Sequence, residues 1–297
     1  MLDAKTFSYT SDTYKWWQNA FIRGIEIMSG QRRIYKLYHE YRTQYLRDAK
    51  SPVPNFYDDA IQKLDLTVNY DASALYNIPQ AGALVVVANH PYGVLDGLII
   101  NQLMSKVRPD FKVLTNGVLC HAPEANTNLL PIDFDETPQA LKTNLQTRKI
   151  ARELLKTGGC IVVFPAGGVS TIPTWKDRVA QDTSWQPFIG SLIQGAKADV
   201  VPLFFEGQNS RLFQLVSQFS STLRVALYFK ELADRIGSHV GVRIGTIIPY
   251  SRLTEFSDKI DMLHYLREET YRLGGMDTLP PAKPAYRINT KSIGKSK

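Results

Sequence analysis

Cysteine is scarce in this chain: among 297 residues there are two, Cys120 and Cys160. Two thiols cannot build a disulfide framework, and as small buried core residues they suit a reducing cytoplasm. No stretch reaches the roughly 18 uninterrupted apolar residues that a spanning helix needs, so no transmembrane helix is expected. Met1 to Thr10 has neither a basic n-region nor an apolar h-region, which argues against a secretory signal. No His or Cys spacing matches a zinc site, and no metal is expected. The Gly-x-Ser-x-Gly elbow of α/β-hydrolases, the Walker lysine and the Gly-x-Gly-x-x-Gly dinucleotide loop are missing too. Negative charge is also in short supply, since Lys and Arg number 35 against 28 Asp and Glu, a formal net charge of +7. That excess favours an anionic partner: nucleic acid, acidic phospholipid or a phosphorylated cofactor. The cations cluster toward the termini with no reading helix or stacking platform, so nucleic acid is not expected.

What remains is ordinary for a globular protein, with 44% hydrophobic and 21% charged residues. Residues from about Asp12 to Lys50 have helical periodicity with a break near Ser29-Gly30. Trp17, Phe21, Ile25 and Met28 share one face, continued by Ile34, Leu37, Tyr38, Tyr41 and Tyr45. The other faces carry Lys15, Arg23, Arg32, Arg33, Lys36, Arg42 and Arg47. Two readings fit, a helix lying in an anionic membrane interface and a helix whose aromatic stripe packs on the main domain. Both can hold along different parts of its length.

Beyond Pro52 and Pro54, short apolar runs alternate with helical patterns. Strands are expected at Leu64–Val68, Ala83–Ala88, Phe111–Leu114, Leu129–Ile132, Cys160–Phe164, Val200–Phe205 and Val240–Ile248. Helices are expected at Leu98–Met104, Thr137–Lys156, Gln186–Lys197, Leu212–Phe219, Thr222–Asp234 and Ile260–Leu273, with Thr137 as an N-cap and Gly158 near a helix end. The fold class is therefore α/β, a mixed, mainly parallel central sheet flanked by helices, with an N-terminal amphipathic helical extension. The expected division is 1–50 for that extension, 51–275 for one main domain, and 276–297 for a basic, mobile tail.

Chemistry concentrates where three apolar strands end. Val85-Val86-Val87-Ala88 runs into Asn89, His90, Pro91, Tyr92 and Gly93, and Asp96 follows six residues after His90. At the carboxyl end of a strand in an open α/β sheet, a loop is placed to bind ligand. A spacing of six cannot pair His90 with Asp96 on one helix face. It can if His90 lies in the loop, Gly93 folds it back, and Asp96 opens the next helix. There the unpaired amides and macrodipole are expected to keep Asp96 ionised, able to accept the Nδ1 proton and leave Nε2 as a general base. An ordinary Asn-His-Pro turn with Asp96 as a cap is the plain alternative. The second strand ends in Phe164, Pro165, Ala166, Gly167, Gly168, Val169 and Ser170, and the third in Glu206, Gly207, Gln208, Asn209 and Ser210. Three such exits imply loops gathered at one sheet edge.

The Asn-His-Pro block, the Phe-Pro-x-Gly block and the late Val-Pro strand, in that order, resemble the glycerolipid (lysophospholipid) acyltransferase family. The nearer likeness is to its hemolysin-like, ornithine-lipid-type bacterial branch, over roughly Asn77 to Leu273. The resemblance implies an acyltransferase of membrane lipid biosynthesis with His90 as base and Asp96 orienting it. It also implies a substrate site made by Asn89, Gly93, Phe164, Pro165, Gly167, Gly168, Ser170, Glu206 and Asn209. No bound cofactor is implied, since acyl-CoA or acyl carrier protein serves as co-substrate. The implied partners are that donor, a membrane lipid acceptor and an anionic membrane surface, with the enzyme peripheral at the cytoplasmic face of the inner membrane.

The family's Phe-Pro-Glu-Gly-Thr-Arg block has Ala166 for Glu and Val169 for Arg here, and Leu130-Pro131-Ile132-Asp133-Phe134 lacks the arginine usual to its block. Those charges are the family's acceptor-phosphate contacts. An amine acceptor, as in an N-acyltransferase making an ornithine-type lipid, therefore stays beside a glycerolipid-type hydroxyl. A non-catalytic lipid-binding homologue is the third reading. Lys176 and Arg178 are either substitute cations or solvated loop residues. His39, His239 and His264 have no acid in a motif-like context and are expected to be structural, and His121 beside Cys120 is not expected to pair with it.

Overall fold

Valine at 85, 86 and 87 favours an extended, fully buried backbone, and a run without polar alternation suits a strand covered on both sides. The computed structural model describes residues 15–28, 30–47, 56–116, 128–133, 137–219, 224, 227–280 and 282–284. In chain order its elements are α1 (Trp16–Met28), α2 (Gln31–Arg47), α3 (Phe56–Lys63), β1 (Thr67–Tyr70), α4 (Ala72–Tyr76), β2 (Leu84–Ala88) and α5 (Val94–Ser105). Next come β3 (Phe111–Asn116), β4 (Leu129–Ile132), α6 (Pro138–Lys156), β5 (Cys160–Val163), α7 (Pro187–Ala196) and β6 (Asp199–Phe205). The last are α8 (Arg211–Phe219), α9 (Tyr228–Asp234), β7 (His239–Ile244), α10 (Tyr250–Leu253) and α11 (Lys259–Arg272).

The strands form one seven-stranded sheet in the order β1-β7-β6-β2-β5-β3-β4. Among the described strands the β6–β7 pairing alone is antiparallel, so the sheet is mixed and mainly parallel, as the strand and helix alternation implied. β2 lies between β6 and β5, with Val86 opposite both Val162 and Val201. Successive residues face different cores: Leu84, Val86 and Ala88 pack with Leu95, Ile99, Leu103 and Phe205, whereas Val85 and Val87 pack with Ile189, Ile193 and Leu266. Burial on both faces explains the continuous apolar runs. Burial also pushes the Cys160 thiol up to about 12, which makes it an inert core residue.

Several expectations shift. The strand read at Leu64–Val68 begins only at Thr67, because buried Tyr57, Ile61 and Leu64 follow a helical spacing that ends in the turn after α3. α3 and α4 were not expected; α4 is capped by Asp71, whose carboxylate accepts from the amides of Ser73 and Ala74. α5 starts four residues earlier than Leu98. β7 stops at Ile244, and Ile248 returns as a single antiparallel bridge to Val200. Thr137 caps α6 as expected, accepting from the Ala140 amide at 3.0 Å. Part of the helix expected at Thr222–Asp234, together with Cys120, His121 and Phe134, lies outside the described residues, as does most of the tail.

The N-terminal break falls at Gly30, between α1 and α2. α2 lays Ile34, Leu37 and Tyr38 against the core, and Tyr41 is buried edge-on to Phe56 at 5.4 Å. Packing on the main domain therefore describes α2, while Trp16 and Trp17 at the start of α1 are exposed. At the amino-terminal edge of the sheet a fully buried Arg108 gathers the carbonyls of Pro79, Gly82 and Gly158 and the Asp110 carboxylate. That edge is closed by structural hydrogen bonds. The carboxyl edge is where the loops stay available.

Candidate active site

β2, β5 and β6 are neighbours, so their exits bring the His90, Phe164–Ser170 and Glu206–Ser210 loops together. His90 leaves β2 two residues past its end, and the Nδ1 atom meets Asp96 Oδ2 at 3.0 Å. The reversal needed for a spacing of six comes from Gly93, at φ +82°, where a Cβ would sit 3.2 Å from Val169 Cγ2. Only glycine enters that conformation without cost. Asp96 is the third residue of α5 and has no exposure to solvent. The same Oδ2 accepts from the amides of Tyr92 at 2.8 Å and Gly93 at 3.0 Å.

Those amides and His90 pull the Asp96 carboxyl down, but burial is the larger influence and pushes it above the usual carboxylate range. The amides at the helix terminus, expected to keep Asp96 ionised, do favour its charged form, and desolvation opposes them. His90 keeps 18% of its side chain exposed, and its ring stacks on Phe164 with centroids 4.1 Å apart and planes 22° apart. Nε2, the ring nitrogen that Asp96 does not touch, is the one left for chemistry.

The other sequence-selected residues divide. Pro165 accepts from the Gln186 amide, and Gly167, at φ +72°, turns back to donate to the Phe164 carbonyl at 3.0 Å. Gly168 has open space where a Cβ would stand. Buried Ser170 donates its amide to the His90 carbonyl at 2.8 Å, tying the second loop to the first. Asn89 spends both ends of its amide on the backbone of Phe205, at 3.0 and 2.7 Å, and so extends the β2–β6 ladder. Glu206 pairs with Arg243 on β7 at 2.5 Å, which turns its carboxylate away from His90. Asn209 is buried, and among the described residues neither end of its amide has a hydrogen-bond partner. Lys176 lies over the Trp175 ring, and Arg178 is exposed; neither is bonded to the His90 loop. Exposed His39, His239 and His264 lie outside the cluster. Among the described residues no group of three His, Cys, Asp or Glu side chains could hold a metal ion.

Two residues of the cluster were not selected from the sequence, Tyr92 inside the first strand exit and Asp182 far from it. Tyr92 donates its hydroxyl to the Glu206 carbonyl at 2.7 Å, and a Cβ on Gly207 would fall 2.0 Å from the Tyr92 hydroxyl oxygen. Asp182 accepts the His90 amide at 3.3 Å and the Ser170 hydroxyl at 2.5 Å on Oδ1, and the Trp185 indole N–H at 3.1 Å on Oδ2. Burial pushes its carboxyl up, opposed by Ser170, Trp185, Arg267 and His90. Asp182 lies 92 residues from His90 and 12 from Ser170, too far for any local pattern to reveal. Asp182→Asn must aim an amide N–H₂ at one of those donors, and is expected to cost about 1–3 kcal/mol. Urea unfolding checks this, and unchanged stability would mean the carboxylate is no clamp.

An acyltransferase family model matches residues 29–278 of the chain. Two relatives, both named lyso-glycine lipid O-acyltransferase, come from Phocaeicola vulgatus and Bacteroides thetaiotaomicron. They are 26% and 25% identical to this chain over 243 residues, which is 77% of this chain and 81% and 84% of theirs. Among solved structures, the 1-acyl-sn-glycerophosphate (LPA) acyltransferase PlsC of Thermotoga maritima aligns with a TM-score of 0.46 at 17% identity, covering 89% of this chain and 96% of that one.

Proposed function

The chain belongs to the acyltransferase family, and from that premise we propose that it moves a fatty acyl group from an acyl-CoA or acyl carrier protein thioester to the hydroxyl of a lysolipid. The observation that carries this reading is the His90–Asp96 pair at the mouth of the sheet, with Asp96 dry and His90 partly open to solvent. His90 Nε2 takes the hydroxyl proton as the acceptor oxygen attacks the thioester carbonyl. The tetrahedral intermediate collapses, the C–S bond breaks, and the imidazolium returns the proton to the leaving thiolate. Asp96 holds the ring through Nδ1 and steadies the imidazolium as it forms. The Phe164 face keeps one side of the ring dry, and the developing oxyanion would be placed at the Gly167–Gly168 loop, where Gly168 has open space beside it.

The acceptor we propose is a lyso-amino-acid lipid, by analogy with the relatives' names. Ala166 and Val169, both buried, leave the second loop without charge for a phosphate. Asn209 would meet a polar group of such a headgroup. The reaction is then O-acylation, in preference to amide formation by an N-acyltransferase or to lipid binding without catalysis. Work on a lipid acceptor calls for a peripheral position on the cytoplasmic face of the membrane; among the described residues no helix is long and apolar enough to cross one.

Incubating the full chain with labelled acyl-CoA or acyl carrier protein, and in turn with lyso-glycine lipid, lysophosphatidic acid and a free amino lipid, tests the assignment. Mass spectrometry is expected to find a new ester on the lyso-glycine lipid. An amide product, exclusive acylation of the phosphate acceptor, or no transfer from either thioester would each overturn it.

A further inference from the structure

α8 carries Leu212, Leu215 and Phe219 at a spacing that puts them on one helical face, and all three are exposed, Phe219 to 82%. The opposite side buries Phe213 and Gln214. The neighbouring loop, residues 171–181, is fastened along the helix. The Ile172 amide donates to Gln214, Gln218 donates to the Ile172 carbonyl at 2.8 Å, and Arg211 donates to the Asp177 carbonyl at 3.2 Å. This loop exposes two more large apolar side chains, Trp175 at 67% and Val179. Lys176, Arg178 and Arg211 stand exposed among them, and Lys176 lies 5.3 Å above the Trp175 ring. The acid within the loop, Asp177, already accepts from the amide and hydroxyl of Thr174.

From this we infer that the face formed by α8 and the 171–181 loop docks on an anionic phospholipid bilayer, as a contact separate from the N-terminal helices. Aliphatic and aromatic side chains ringed by cations that form no ion pair among the described residues match acyl chains below and anionic headgroups above. A soluble acidic partner would match the cations but leave Phe219, Leu215 and Trp175 wet. The position adds a reason. The loop begins at Ser170, bonded to the His90 carbonyl, and ends at Asp182, bonded to the His90 amide, while α8 starts two residues beyond Asn209. A bilayer on this face lies at the rim of the site, so a lysolipid need not leave the membrane far to reach His90. The inference rests on the lipid-acceptor reading and goes beyond it by naming the surface.

Co-sedimentation of the full chain with phosphatidylcholine vesicles, with and without phosphatidylglycerol, tests it. Leu212→Gln/Leu215→Gln/Phe219→Ser is expected to lower affinity for the anionic vesicles by about tenfold or more. Its turnover of a short-chain acceptor kept below its micellar concentration is expected to match the parent, which separates failure of docking from failure of the proposed chemistry. Lys176→Glu/Arg178→Glu keeps the apolar face and is expected to lose roughly fivefold or more per charge on phosphatidylglycerol vesicles alone. This second variant decides the matter if the first misfolds. Parent-like sedimentation by the charge variant, or by a folded triple variant, overturns the inference. So does a defect confined to acyl carrier protein binding, or a dimer that the triple variant dissociates while vesicle binding stays intact.

Discussion

His90→Ala is expected to unfold cooperatively like the parent while its turnover falls by roughly a hundredfold to ten-thousandfold, the range that a positioned general base supplies. The imidazole is held by one hydrogen bond, to Asp96, and one stacking contact, with Phe164. Its loss leaves the strand and the clamp on its backbone in place, because the Asp182 and Ser170 bonds use the main chain. Asp96 keeps the Tyr92 and Gly93 amides but loses its imidazole partner, at a cost of about 1–3 kcal/mol. The defect should lie in kcat, with KM for the thioester little changed, and added imidazole should restore part of the rate. Parent-like turnover by the folded variant would remove the general-base mechanism altogether.

Asp96→Asn is expected to cost about as much rate for a different reason. An amide in place of the carboxylate can present N–H₂ toward Nδ1, which selects the tautomer with its proton on Nε2, where an acceptor is needed. The variant also changes how stability depends on pH. Burial raises the Asp96 carboxyl above its unfolded value, so the native state holds that proton more tightly than the unfolded chain. The stability this lends is full below about pH 4, the ordinary carboxylate range, and is lost as pH rises through the folded value. The substituted amide cannot titrate. Urea midpoints of parent minus variant should therefore fall with rising pH across that window, and a flat difference would mean that Asp96 is not raised by burial.

Legibility in the sequence followed the range of the interactions. β2, β5 and β6 were readable because each is a nearly continuous apolar run with a glycine-containing exit a few residues on, and such runs stand out when both sheet faces are covered. The His90–Asp96 spacing was interpretable because one glycine at positive φ makes the return possible. α3 was harder: Tyr57, Ile61 and Leu64 have helical spacing, but Leu64, Leu66 and Val68 also alternate, and only contact with α5 and the core chooses between them. The N-terminal aromatic stripe posed the same problem, and packing resolved it for α2.

The amino-acid order by itself marked the α/β class, the three glycine-containing strand exits and a candidate imidazole–carboxylate pair, since each element is read from residues within a few positions of one another; the sheet order β6-β2-β5 is what gathers the exits. Tertiary structure alone decided that Asn89 is consumed by the Phe205 backbone, that Glu206 turns to Arg243, and that a distant Asp182 clamps the His90 main chain. It also set the electrostatics, for a carboxylate's charge depends on how much water surrounds it, and the water is removed by side chains that come from everywhere else in the chain.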